Sequence, residues 1–174
     1  CDELPYTRCS LGVNAPGETK RVPESIWRAP REAVIGFLQA MFTADGTVNI
    51  SVRRKTCSVR LAASNQPLLE DVQQLLLNFG IVSKLYLRRE AHDKLMPDGR
   101  GGETRYACAP QYELVLDKEN RDRFIRTIGF LSVAKQQKAE RWLAGKERRS
   151  NRERYVNRIV SIEPAGFEDV YCTT

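Results

Sequence analysis

Histidine is almost absent from this 174-residue chain: His92 is the only one. It lies in a polar, glycine-rich stretch, which argues against a Ser-His-Asp or Cys-His catalytic group and against a zinc centre of the usual ligand set. Cysteine is sparse and scattered. Cys1, Cys9, Cys57, Cys108 and Cys172 are odd in number with no Cys-x-x-Cys spacing, which predicts reduced, mostly packing thiols. No apolar run approaches the ~20 residues that span a bilayer. The start, Cys1-Asp2-Glu3-Leu4-Pro5, lacks the basic and apolar regions of a signal peptide. These absences predict a soluble, cytoplasmic protein. Acidic residues are outnumbered, 22 against 28 Lys and Arg, and the net charge of +6 favours a polyanionic partner.

What is present gathers around Leu38–Gly46. Gly36, Ala40 and Ala44 fall four apart and form one stripe of small side chains on a helix, which lets a second backbone come close. Val34, Ile35, Leu38, Met41 and Phe42 fall on other sides, so the helix reads as apolar nearly all round and buried against several neighbours. Gly46 suits the left-handed position that stops a helix. Asp45, just before it, puts a carboxylate at the negative end of the helix dipole, where a cation is preferred. A divalent metal there would turn the misplaced charge into a ligand. The plain alternative is a turn before a strand.

In chain order, residues 1–30 read as an irregular, proline-punctuated lead-in with a short helical turn at Glu24–Trp27, and Pro30 suits the first turn of the next helix. Residues 31–145 form the main unit. Thr47–Arg53 and Lys55–Ala63 read as two strands joined at Arg53-Arg54-Lys55. Ser64-Asn65 caps a leucine-rich helix stopped by Gly80. Val82–Arg89 is a third strand, Glu90–Glu103 a long mobile loop, and Thr104–Leu116 a fourth strand bent near Pro110. Asp117 or Asn120 caps a helix through Ile128, and Ser132–Leu143 is the last helix. Residues 146–174 hold a basic run and then a strand pair from Ile159 through Tyr171. The order is helix, two strands, helix, two strands, helices, an α+β unit in single copy. Asn49, Ser51, Arg53, Ser58, Arg60, Lys84, Tyr86 and Arg88 fall on strand faces as a polar, basic set. Such side chains read base edges and hold phosphates, although an ordinary solvated sheet face has the same look.

Leu38–Gly46 resembles the signature of the LAGLIDADG homing endonucleases. Leu38, Ala44, Asp45 and Gly46 match letter for letter, Ala40 keeps a small residue, and Gln39 and Thr43 depart from it. Lys20-Arg21-Val22-Pro23-Glu24-Ser25-Ile26 is similar to the Lys-x-Ile-Pro block before the second such motif in intein-borne members. Leu68–Gly80, and Ile128-Gly129-Phe130 with Lys135, resemble later blocks. The likeness runs from Lys20 to Leu143. Glu168-Asp169-Val170-Tyr171 resembles the start of the return to the splicing domain, placing the chain in the second half of an intein.

The resemblance implies an αββαββα unit with a concave antiparallel sheet lying in the major groove of double-stranded DNA. It implies two signature helices packed through the Gly36-Ala40-Ala44 stripe, from a homodimer or a missing N-terminal half. It implies Asp45 as a ligand to Mg²⁺ or Mn²⁺ for phosphodiester hydrolysis, and Lys135, with Lys138 as fallback, beside the metal-bound water. Two other readings stay open. One is a DNA-binding relic that no longer cuts. The other is a fragment of a splicing intein, disfavoured because no Thr-x-x-His occurs and the chain ends Thr173-Thr174.

Overall fold

The computed structural model describes residues 20–97, 99, 101–145, 159–164 and 166–167. The basic run at 146–158 and the block at 168–171 lie outside the described residues. Helices α1 (Glu24–Trp27) and α2 (Arg31–Ala44) lead into strands β1 (Gly46–Ser51) and β2 (Thr56–Ala63). Then come α3 (Gln66–Leu77), β3 (Lys84–Arg89), β4 (His92–Pro97), β5 (Glu103–Cys108) and β6 (Gln111–Leu116), and finally α4 (Lys118–Thr127) and α5 (Val133–Ala144). The main sheet is antiparallel in the order β1-β2-β6-β3.

Period-2 alternation decides which face of that sheet is core. Val48, Cys57, Val59, Leu61, Leu114 and Leu116 are buried on one side. Against them pack α2 through Val34, Leu38 and Phe42, α3 through Leu69, Val72, Leu75 and Leu76, and α4 through Phe124 and Ile125. Phe42 meets Phe124 at 4.5 Å between ring centres, and Phe124 meets Phe130 edge-on at 5.5 Å. The signature helix is thereby locked to the chain's C-terminal helices.

Local chemistry sets the helix ends. Asn65 Oδ1 accepts the Leu68 amide at 3.0 Å, a cap of the kind worth about 1 kcal/mol. Gly80, at φ +66°, closes α3: its amide bonds the Leu77 carbonyl and the Ile81 amide bonds the Leu76 carbonyl. At α4, Asp117 takes the cap position but makes no side-chain cap bond; its carboxylate lies 3.5 Å from Lys84 Nζ. Asn120 accepts the Val82 amide. The described end of the lead-in, from residue 20, is anchored as well. Arg21 holds Asp71 of α3 through two bonds of 2.7 and 2.6 Å, and the Val22 amide bonds the same carboxylate. Burial pushes the Asp71 carboxyl up, but the hydrogen bonds from Arg21 and Val22 outweigh it and hold it below the usual carboxylate value.

Five expectations are corrected. Helix α2 is not buried on every side, for Gly36, Ala40 and Ala44 are exposed. Glu90–Glu103 is not a loop throughout, nor is Thr104–Leu116 one strand. The partners of β3 and β6 sum to 199 (Lys84 with Val115), then to 200 past a bulge at Arg88 (Arg89 with Gln111). The partners of β4 and β5 keep the sum of 200 (His92 with Cys108), so β3–β4 and β5–β6 are one long hairpin, with Pro110, which cannot donate to a ladder, in the break. Arg53 belongs to the β1–β2 turn, because β1 ends at Ser51 and Lys55, at φ +48°, closes the turn. No strand forms in the described residues 159–164.

Candidate functional site

Asp45 sits at the C-cap of α2, exposed, its amide bonded to the Met41 carbonyl at 3.0 Å. Gly46 does not take the expected left-handed conformation, since its φ is not positive. It is needed for closeness: a Cβ there would lie 2.3 Å from the Phe42 carbonyl oxygen. The chain can therefore turn from helix to strand within one residue, which leaves Asp45 at the corner.

The cation that the helix end calls for is Lys135. Its Nζ donates to the carbonyls of Thr43 at 2.5 Å and Gly46 at 2.7 Å. One turn along α5, Lys138 Nζ donates to the Val48 carbonyl at 2.8 Å. Ser132 caps α5 by accepting the Lys135 amide, and Gln136 Oε1 accepts the Phe130 amide beside Gly129, at φ +73°. Gln39 and Thr43, the two departures from the signature, serve the same junction. Gln39 Nε2 donates to the Ile128 carbonyl at 2.6 Å, and Thr43 Oγ1 accepts the Leu131 amide at 2.8 Å. Sequence reasoning passed over both residues; their four-residue spacing, one turn apart, was the available signal. Among the described residues the Asp45 carboxylate has no ion-pair partner, and no group of three or more His, Cys, Asp or Glu could hold a metal. Asp45 offers one carboxylate, which fits Mg²⁺ only if water, phosphate or another carboxylate fills the rest of its coordination.

The sheet face opposite the helices collects most of the expected polar set. Asn49 pairs Ser58, Ser51 pairs Thr56, and Thr47 pairs Arg60 across β1–β2. Lys84 and Tyr86 continue the same face on β3, paired with Val115 and Glu113. Arg53 stands apart in the turn. Glu113 and Thr47 were not expected on this face. Glu113 is nearly buried and holds Arg60 at 2.9 Å and Arg88 at 3.4 Å, while Arg60 Nε also donates to Ser58 Oγ at 2.9 Å. The alternation of Gln111 and Glu113 with Tyr112 and Leu114 carried that signal. The third feature is the exposed stripe on α2: among the described residues a Cβ at Gly36 would meet nothing within 4 Å.

Over residues 32–129 the chain matches the family model described as a LAGLIDADG-like domain. It is 33% identical over 167 residues to the alpha chain of the ribonucleoside-diphosphate reductase NrdEB of Bacillus subtilis (strain 168), a match covering 94% of this chain and 15% of that protein. It is 32% identical over 140 residues to a DNA gyrase polypeptide of Mycobacterium gordonae, covering 80% and 22%. A DNA polymerase of Thermococcus sp. (strain GE8) is 32% identical over 112 residues, covering 64% and 6%. The chain thus spans less than a quarter of the length of each of these three. No solved structure matches it significantly.

Proposed function

This chain belongs to the LAGLIDADG-like family, and on that premise we propose that it is the DNA-cleaving unit of a homing endonuclease carried within an intein. The observation that carries the reading is the placement of Asp45: an exposed acid at the end of a small-residue stripe that no described residue covers, on the signature helix of the matched region. The relatives support the intein origin. A reductase, a gyrase and a polymerase share by name no common chemistry, yet each contains a segment like this chain making up 6 to 22% of its length. A mobile element inserted into unrelated coding sequences leaves that pattern.

In this reading the face carrying Asn49, Ser51, Ser58, Arg60, Lys84, Tyr86 and Arg88 lies against double-stranded DNA, with Arg53 at its rim. Arginine takes guanine edges, Asn and Ser take adenine or phosphate, and Lys and Tyr hold the backbone. Asp45 would hold Mg²⁺ or Mn²⁺, which when bound supplies an activated water and neutralises charge on the phosphate. Lys135, bonded to the carbonyls on either side of Asp45, fixes the corner from which that carboxylate projects. A second unit meets the Gly36-Ala40-Ala44 stripe and brings a second acid, because one carboxylate serves one strand.

The test is selection of cleaved sites from a plasmid library with a randomised insert, with and without Mg²⁺, and binding of the recovered site across salt. Cleavage at one long site, with affinity falling steeply between low and physiological salt, is expected. Binding without metal-dependent cleavage at any site would leave the DNA-binding relic, and a flat salt response would remove DNA altogether.

A further inference from the structure

Glu113 is an anomaly on a face meant for a polyanion. It lies on β6, between β2 and β3, paired with Ala62 on one side and Tyr86 on the other. Its side chain is 11% exposed, against 36% for Arg60 and 57% for Arg88. Arg60 is its diagonal neighbour across β2–β6, within reach of a long side chain over the small Ala62. Arg88 falls at the bulge in β3, where a strand can re-aim a side chain. One carboxylate oxygen takes Arg60 and the other takes Arg88.

A carboxylate here repels phosphate and lowers affinity for every DNA sequence alike. What it supplies instead is orientation. Ser58 and Glu113 engage Nε and Nη1 of Arg60, and among the described residues no hydrogen bond engages its Nη2. A guanidinium fixed in one plane can present its fork to a guanine edge, whereas a loose one finds phosphates in many poses. Resting on the DNA-facing reading of this sheet, we infer that Glu113 is a specificity-determining positioning residue: it holds Arg60 for one base pair and penalises contact that is merely electrostatic.

The experiment compares the wild-type chain with Glu113→Gln and Arg60→Lys. Each is profiled for base preference by binding selection from a randomised duplex pool, and for affinity on a random-sequence duplex. Glu113→Gln is expected to relax preference at the same base pair as Arg60→Lys, by about tenfold, while affinity for the random duplex holds or rises. The effects on that base pair should be non-additive in the double variant. Uniform weakening on all sequences, relaxation at a different base pair, or an unchanged profile would overturn the inference. Should Glu113→Gln lower the melting temperature sharply, Glu113→Asp, which keeps the charge but shortens its reach, carries the same expectations. If the wild-type chain itself enriches no sequence, the DNA reading fails first. A wild-type profile with no response at the Arg60 base pair sinks only the role of Glu113.

Discussion

Lys135 Nζ lies 2.5 Å from the Thr43 carbonyl oxygen, so a cation from the last helix closes the negative end of the signature helix. A second bond of 2.7 Å to the Gly46 carbonyl makes the contact bidentate around Asp45. Charge-assisted bonds of this kind contribute roughly 1.5–3 kcal/mol each when well shielded, and the partial exposure of Lys135 puts the pair at the low end.

Lys135→Met should therefore destabilise the chain by about 1–3 kcal/mol in urea melts. Lys135→Arg should recover part of that loss, because charge and donors remain. A neutral Lys135→Met would mean that the contact does not hold the corner.

The two glycines that bracket the signature helix's small-residue stripe should respond in opposite ways. Gly46→Ala places a methyl against the Phe42 backbone, which cannot swing aside, and should cost more than about 2 kcal/mol. Gly36→Ala meets no described atom within 4 Å and should hold stability or raise it by about 0.5–1 kcal/mol through helix propensity. Gly36→Leu should leave the fold intact and abolish pairing through the stripe, read by light scattering against the wild-type chain or its complex with a second unit.

Acid should loosen Arg21 and Val22 from α3. The Asp71 carboxyl is held below its ordinary value, so its ion pair with Arg21 contributes stability fully above the unfolded carboxylate pKa, about 3.9, and loses it as pH falls through the lower folded value. Stability measured from pH 6 down to pH 2 should drop along that limb. Asp71→Asn should start lower and show a flatter limb; an identical pH profile would contradict the assignment.

The fold was legible where burial is one-sided. Val48, Ile50, Val59 and Leu61 alternate with Asn49, Ser58 and Arg60, and the leucines of α3 repeat at helical spacing, so both elements declared their period. The β4–β5 arm did not, because its residues are largely exposed on both faces and carry no alternation for burial to impose. Its place in the long hairpin comes from register, which pairing sets and sequence does not print. Asp45 could be singled out because it broke a rule of helix electrostatics. The answer to that rule, Lys135, lies far along the chain, and only the tertiary fold brings its side chain to the helix end as a backbone cap. Gln39 and Thr43 hid for the same reason, since their partners are backbone groups of 128–131.

The measurement that bears most directly on the central claim is cleavage and binding by Asp45→Asn on the site recovered with the wild-type chain, in Mg²⁺. The variant is expected to lose cleavage by more than about 100-fold and to hold its affinity for the site within about twofold. Undiminished cutting by Asp45→Asn would contradict the assignment of Asp45 as the metal-holding acid.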